Sequence, residues 1–202
     1  EAEARLPMGK HMLDHVWALL SEPKIAERWY LAKAAYPDRA ALQSLYEEFG
    51  PLQTELLTNH LDLLPGVAAV TAELRSRGIR IGSTTGFETG MMESVKAAAA
   101  AQGYEPDCWV CPDHTGAGRP APWMMHYAAR QLNVYPLRTF VKVGDTPADI
   151  GEALNAGAWA VSVVRTGNEI GLSAEHWEAL PADDRAARVR RAEEKFRSLG
   201  AH

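Results

Sequence analysis

The sequence is poor in cysteine and contains no long apolar run. Two cysteines among 202 residues are too few for a disulfide framework, which excludes the small disulfide-stapled class of secreted proteins. No segment reaches about 18 consecutive apolar residues, so we expect no membrane-spanning helix. The first residues also lack the order of charged, apolar and small residues that forms a secretory signal. These absences favour a cytoplasmic protein with no membrane partner.

An excess of positive charge is missing as well. The formal net charge is −5, which argues against nucleic acid as a general partner, because nucleic acids are bound through basic surfaces. Apolar residues make up 47% of the chain, which is enough for a hydrophobic core. The length fits one domain, or one domain with a small insertion.

Two regions with different patterns follow one another. Residues 1–63 carry apolar side chains at helical spacing and show no strand signal. We expect the prolines of this region to separate short helices, at Pro23, Pro37, Pro51 and Pro65. From residue 64 onward, short β-rich runs alternate with helical patterns. We predict strands within 79–86, 107–112, 139–146 and 159–164. This alternation predicts a parallel sheet with helices on both faces, so the predicted fold class is α/β, with a helical module at 1–63 and a core at 64–202.

Polar residues follow the predicted strands, where an open parallel sheet binds its ligands. The first strand runs into Ser83-Thr84-Thr85-Gly86, whose hydroxyls and free backbone N–H groups suit a phosphate, although such a turn often only caps a helix. The third strand ends in "GDTPAD", which holds Asp145 and Asp149. Two carboxylates four residues apart suit a hard cation such as Mg²⁺, and helix capping would explain only one of them.

These segments resemble three motifs of the haloacid dehalogenase (HAD) superfamily. "IRIGSTTG" is similar to its second motif, Arg119 in "GRPAP" to its third, and "VGDTPADI" to its fourth. Longer stretches, including "EARLPMG", "LDHV" and "FVKVGDTPADIGEALNAGAW", resemble the phosphonoacetaldehyde hydrolase (phosphonatase) family. The resemblance covers essentially the whole chain. It implies a HAD-like Rossmannoid core with a helical cap, Mg²⁺-dependent hydrolysis of phosphonoacetaldehyde to acetaldehyde and phosphate, and a homodimer formed through the caps.

The resemblance assigns phosphate and metal binding to the core. The substrate-binding residues that it implies there are Thr84, Thr85, Gly86, Phe87 and Arg119. Arg119 would also act in catalysis by neutralising phosphoryl charge, a task that suits a planar fork of donors. Asp145 and Asp149 would hold Mg²⁺, directly or through water, and Asp145 counts among the catalytic residues. Phe87 stands where the family has an active-site tyrosine.

The cap is expected to contribute Met8, Gly9, Met12 and His15, with His15 as a catalytic acid or base. The family pattern M-G-x-x-K-x-D-H matches "MGKHMLDH" in length, but its lysine position is Met12. In the family that lysine forms an imine with the aldehyde, which acts as an electron sink for C–P cleavage. At about 100° per residue, Met8, Met12 and His15 share one helix face and Lys10 lies opposite. We therefore expect Lys10 not to replace the amine.

The resemblance also implies a nucleophilic aspartate on a first core strand that precedes the cap, and further residues after position 202. Neither segment is in this sequence, so we expect an incomplete core with unpaired strand edges between the first and third strands, and no activity of this chain alone. Two alternatives stay open. The full-length protein is a phosphate-ester phosphatase, because an ester needs no electron sink, or it is a non-catalytic protein that binds phosphate or Mg²⁺.

Three other patterns have simpler structural explanations. His11 and His15 are spaced like zinc ligands, but no third ligand is evident. Cys108 and Cys111 face opposite ways in a predicted strand, so we expect buried structural cysteines. Asp113 and His114 could form an acid/base pair, but a capping role in the loop is the simpler expectation.

Overall fold

The helical region comes first in the computed structural model, which describes residues 2–57 and 59–202. Its helices are α1 (Ala2–Arg5), α2 (Met12–Leu20), α3 (Pro23–Lys33) and α4 (Arg39–Leu57). Within the described residues before position 67 there is no strand, as predicted. The prediction that Pro51 ends a helix is wrong, because α4 continues through it. Proline removes one intrahelical hydrogen bond, and the remaining turns of this long helix hold it together.

The alternation of strands and helices predicted for the core is confirmed. The elements are α5 (Val67–Ser76), β1 (Gly82–Thr84), α6 (Thr89–Ala101), β2 (Cys108–Val110), α7 (Trp123–Leu132), β3 (Val141–Gly144), α8 (Pro147–Ala156), β4 (Trp159–Ser162), α9 (Ala174–Glu178) and α10 (Ala182–Ser198). Short 3₁₀ turns lie at Pro112–His114 and Leu137–Thr139. Each strand is shorter than the run that predicted it. None of the described helices is long and apolar enough to cross a membrane.

The strands form two parallel pairs. β1 pairs with β2, with Gly82 opposite Cys108, and β3 pairs with β4, with Val141 opposite Trp159. Among the described residues no ladder joins the two pairs, so the expected unpaired edges between the first and third strands are present. β1 and β3 lie close enough for the Lys142 side chain to reach Thr84. All three strand ends that carry candidate residues therefore lie near one another.

The prediction of helices on both faces is wrong for the β3–β4 pair. α8 packs against one face of the pair. Alternate side chains point to the other face, where Val141 and Val143 are each 58% exposed and Trp159 is 51% exposed. Alternation along the chain requires helices between the strands, but it does not fix which face each helix covers.

The main hydrophobic core joins α7, α8, β4 and α10. Its buried members are Met125, Ile150, Ala153, Ala156, Ala158, Ala160 and Phe196. Ile150 and Phe196 are almost completely enclosed. This packing fixes α8, whose first turn carries Asp149. In the described part of the cap, by contrast, only Pro7 and Leu20 are buried.

Candidate active site

Arg119 joins the ends of two strands. Its Nη1 donates a hydrogen bond to Oδ1 of Asp149 at 2.8 Å, and its Nη2 donates to the carbonyl oxygen of Thr84 at 3.2 Å. The side chain is only 9% exposed. The loop after β2, the end of β1 and the start of α8 are thus held together by one buried guanidinium. Three residues that sequence reasoning assigned to one site are in direct contact.

The start of α8 is shaped by a capping box between Thr146 and Asp149. The Asp149 backbone N–H donates to Oγ1 of Thr146, and this hydroxyl donates to Oδ2 of Asp149 at 2.6 Å. Oδ1 of Asp149 faces Arg119 and lies 3.4 Å from Nζ of Lys142. Burial acts to raise the pKa of Asp149, but the two cations and the hydroxyl outweigh it and the pKa lies below its usual value. Both carboxylate oxygens are therefore engaged.

Asp145 is less constrained. One of its oxygens, Oδ2, accepts a hydrogen bond from the backbone N–H of Asn168 at 2.9 Å. No side chain in the described ranges donates a hydrogen bond to it. Burial raises the pKa of Asp145, and the negative charge of Asp149 acts in the same direction. A cation would relieve this unfavourable environment, so Asp145 is the better candidate for direct contact with a metal.

The donor set fits Mg²⁺ and does not fit zinc. Mg²⁺ keeps several water ligands in proteins and is bound through one or two carboxylates together with phosphate oxygens. Asp145 can supply a direct ligand, whereas Asp149, with both oxygens engaged, suits contact through water. Across residues 2–57 and 59–202 no group of three or more His, Cys, Asp or Glu side chains could hold an ion by itself.

The polar groups of the loop after β1 already form hydrogen bonds within the protein, which the sequence did not predict. The Thr85 N–H, expected to be free for a phosphate, donates to the carbonyl oxygen of Val110 at 3.0 Å, because the β1–β2 pairing continues past Thr84. Oγ1 of Thr85 accepts a hydrogen bond from the N–H of Phe87 at 3.1 Å. Oγ1 of Thr84 accepts one from Lys142 at 2.5 Å. Any ligand here must share these hydroxyls with groups of the protein.

The cap loop, residues 8–11, lies against all three strand-end loops. A Cβ placed on Gly9 would lie 2.2 Å from Oγ1 of Thr146. A Cβ on Gly86 would lie 3.0 Å from a carbonyl oxygen of the cap loop, and one on Gly118 would lie 3.0 Å from a side-chain carbon of it. Glycine permits these approaches because it has no Cβ. Of the cap candidates, these contacts bring Gly9 against the loops that carry the core candidates.

The helix-face argument made from the sequence is wrong for Met8 and Lys10. α2 begins at Met12, with His11 at its N-cap. Gly9 has a φ of +89°, which an α-helix does not allow. Met8 and Lys10 therefore lie in turns, and only Met12 and His15 share the helix. Helical periodicity therefore does not place Lys10 on the far side of α2. Its backbone contacts the loop after β1 instead.

His15 is half-buried at the edge of this region. Its Nε2 donates a hydrogen bond to the carbonyl oxygen of Ala4 at 3.0 Å, which leaves Nδ1 as a proton acceptor. Burial lowers the pKa of His15, and the charge of Lys10 lowers it further. The carbonyl oxygen of Arg5 accepts a hydrogen bond from the Asn168 amide, so this part of the cap is tied to the loop that holds Asp145.

Two charged residues were missed by sequence reasoning. Lys142 lies in the middle of β3, and its Nζ is 2.7 Å from Oε2 of Glu152, which is completely buried in α8. A lysine inside a predicted core strand was the available signal, because charged residues are seldom buried without a partner. Glu152 follows Asp149 by three residues on the same helix face. Asp113, in contrast, has a capping role, but at a helix: it accepts hydrogen bonds from Thr89 at the start of α6.

Comparison with known proteins identifies the fold. The family model described as haloacid dehalogenase-like hydrolase matches residues 17–157, more than half of the chain. The chain belongs to this family. The HAD-like α/β fold and the hydrolase class expected from the sequence motifs are thereby confirmed.

Relatives of this HAD-like hydrolase share most of its length. It is 42% identical over 200 residues to a phosphonoacetaldehyde hydrolase of Bacillus cereus (strain B4264). This match covers 99% of this chain and 76% of the relative. It is 44% identical, with the same coverage, to a phosphonoacetaldehyde hydrolase of Bacillus cytotoxicus. The crystal structure of a phosphonoacetaldehyde hydrolase-like protein from Oleispira antarctica matches with a TM-score of 0.96 and 37% identity, over 100% of this chain and 73% of that one.

Proposed function

We propose that this HAD-like hydrolase is Mg²⁺-dependent and acts on the phosphoryl group of a small phosphonate or phosphate compound. The observation that carries the proposal is Arg119, a buried guanidinium bonded to Thr84 and Asp149, whose charge also acts on Asp145. Two cations and three carboxylates meet in this cluster, because Lys142 and Glu152 also belong to it. A divalent cation would turn its net charge positive before the phosphoryl group binds.

Each residue has a defined role in this proposal. Mg²⁺ held by Asp145, and by Asp149 through water, would supply charge neutralisation at a phosphoryl oxygen. Arg119 orients the phosphoryl group through the N–H groups that Asp149 and Thr84 leave unused. The hydroxyls of Thr84 and Thr85 offer further hydrogen bonds. In this proposal His15, whose Nδ1 is the acceptor nitrogen, accepts or donates a proton from the cap.

Met12 favours a phosphate ester over a C–P bond as the group cleaved. Position 12 holds a thioether where the related phosphonatases have the imine-forming lysine, so the cap lacks an amine there. Lys142 is the amine inside the cluster, and it is held between Thr84 and Glu152. An ester needs no electron sink, since its leaving oxygen needs only a proton. We infer that the natural substrate is a small phosphate ester.

We also propose that the present 202-residue chain binds phosphate without turning a substrate over. In the described ranges no carboxylate of the cluster is free to attack: both oxygens of Asp149 are engaged, Glu152 faces Lys142, and Asp145 is assigned to the metal. Release of p-nitrophenol from p-nitrophenyl phosphate by the purified chain would overturn this proposal.

Calorimetric titration with inorganic phosphate tests the proposed binding site. We expect binding that requires MgCl₂ and that Asp145→Asn abolishes. Glu175→Gln, an exposed acid on α9, is the matched control and should bind like the unmodified protein. Absence of Mg²⁺-dependent phosphate binding to the unmodified protein would refute the proposed function.

The cap is proposed to form a homodimer. Large apolar side chains are exposed across α2, α3 and α4 and the turn between the last two: Trp17, Tyr30, Leu31, Tyr36, Phe49, Leu52 and Leu56. Exposed apolar side chains concentrated in one module favour an interaction site there. Sedimentation equilibrium should give twice the chain mass, and Leu31→Glu, at a side chain 78% exposed, should shift the equilibrium to the monomer. A monomer at micromolar concentration would contradict this.

A further inference from the structure

Glu152 is a buried carboxylate with incomplete hydrogen bonding. It has no exposed surface, and its Oε2 lies 2.7 Å from Nζ of Lys142 and 3.6 Å from Nε of Arg119. Neither oxygen accepts a well-aligned hydrogen bond within residues 2–57 and 59–202, and Nε of Arg119 is likewise without a partner. Burying a charge in this way is costly unless opposite charges compensate it. Two cations do so here.

Lys142 has two carboxylates within reach. Its Nζ lies 2.7 Å from Glu152 and 3.4 Å from Oδ1 of Asp149. The same Oδ1 accepts the 2.8 Å hydrogen bond of Arg119. The lysine and the arginine therefore approach the same oxygen atom, where their like charges repel each other. Glu152 holds the lysine on the other side together with the Thr84 hydroxyl, because Nζ of Lys142 lies 2.7 Å from Glu152 and 2.5 Å from Thr84, against 3.4 Å from Asp149.

We propose that Glu152 is a positioning residue for phosphoryl binding: it holds Lys142 away from Asp149, so that Arg119 keeps its bond to Asp149 and its orientation in the site. The inference rests on the proposed function, because it concerns the same phosphate site. Glu152 touches neither substrate nor metal, and it acts through Lys142 and Arg119.

A simple counter-charge role makes the opposite prediction. If Glu152 only balanced the charges of Lys142 and Arg119, its neutralisation would make the cluster more positive, and phosphate would bind more tightly. If it positions the two cations, its neutralisation lets Lys142 move to Asp149 and displaces Arg119, and phosphate binds more weakly. The sign of the change separates the two roles.

The test is phosphate titration of Glu152→Gln in MgCl₂. We expect affinity about tenfold weaker, in the range of one lost charge-assisted hydrogen bond. The matched control is Glu178→Gln, because Glu178 also pairs with two cations, Arg165 and Arg185, but at the surface. That variant should bind phosphate like the unmodified protein. Unchanged or tighter binding by Glu152→Gln would overturn the inference.

Two further variants keep the test decisive. Lys142→Met combined with Glu152→Gln removes the competing amine, so phosphate affinity should return to within about threefold of the unmodified protein. If Glu152→Gln does not fold, Glu152→Asp serves, because it keeps the charge and retracts it by one methylene. Weaker binding by Glu152→Asp supports positioning, and unchanged binding refutes it. Failure of the unmodified protein to bind phosphate would refute the proposed function as well, whereas unchanged or tighter binding by the Glu152 variants, beside normal binding by the unmodified protein, refutes only the positioning role.

Discussion

The core and cap sides of the candidate site are built in different ways. The core side is a cluster of buried charges, in which the side chains of Arg119 and Asp149 are 9% and 5% exposed. The cap side is the loop of residues 8–11, which approaches through backbone and glycine atoms. Charge in a buried cluster suits binding of a phosphoryl group and a metal. Close backbone contact suits selection of the organic group attached to the phosphoryl group.

The two sides also differ in what holds them in place. α8 is anchored by Ile150 and Phe196 in the main core, whereas Pro7 and Leu20 are the buried residues of the described cap. Few buried apolar contacts mean low local stability. We therefore expect substitutions on the core side to lower the free energy of unfolding the most. Substitutions on the cap side should mainly weaken the contact between cap and core.

The largest effect is expected from Arg119→Ala. It leaves the buried carboxylates of Asp149 and Glu152 without their guanidinium, so the free energy of unfolding should fall by about 3–5 kcal/mol, and phosphate binding should be lost. Urea unfolding and calorimetry measure the two effects. Arg165→Ala breaks an exposed pair with Glu178, and it should change stability by less than about 1 kcal/mol. Equal effects of the two substitutions would show that the buried cluster has no special role.

A smaller effect is expected from Gly9→Ala, which tests the contact between cap and core. The new Cβ would meet Oγ1 of Thr146 at 2.2 Å, at a backbone φ of +89°. Gly66 has the same φ with no neighbour within 4 Å, so Gly66→Ala carries the backbone strain alone, about 1 kcal/mol. Hydrogen exchange of residues 8–11 should become faster in Gly9→Ala and stay unchanged in Gly66→Ala. Unchanged exchange in both would contradict the contact.

The smallest effect concerns His15 and pH. Because burial lowers the pKa of His15 in the folded protein, protonation favours the unfolded chain. Its contribution should be absent above the usual histidine pKa and should destabilise the protein progressively as the pH falls below it. Urea unfolding between about pH 5 and 8 measures this effect. The free energy of unfolding should fall less steeply with decreasing pH in His15→Gln than in the unmodified protein, and equally steeply in the exposed control His60→Gln. A steeper loss in His15→Gln would contradict the account.

Much of the fold followed from local patterns. Alternating strand and helix signals gave the α/β class, and the rule that ligands meet strand ends brought Arg119 and Asp149 together before any coordinates. Contacts between distant elements could not be read in this way. The pairing of Lys142 with Glu152 depends on how closely β3 approaches α8. The periodicity of apolar residues along the sequence does not contain this distance. Met8 was wrongly predicted to lie on α2. The positive φ of Gly9 is incompatible with a helix, and α2 begins only at Met12.

The central claim is that the core side binds a phosphoryl group while the cap side lacks the amine for imine formation. Borohydride trapping with phosphonoacetaldehyde, followed by peptide mass spectrometry, tests it most directly on the unmodified protein and on Met12→Lys. The account predicts no adduct in the unmodified protein. In Met12→Lys it predicts a covalent adduct at position 12, formed by borohydride reduction of the imine. An adduct on Lys10 or Lys142 of the unmodified protein would contradict it.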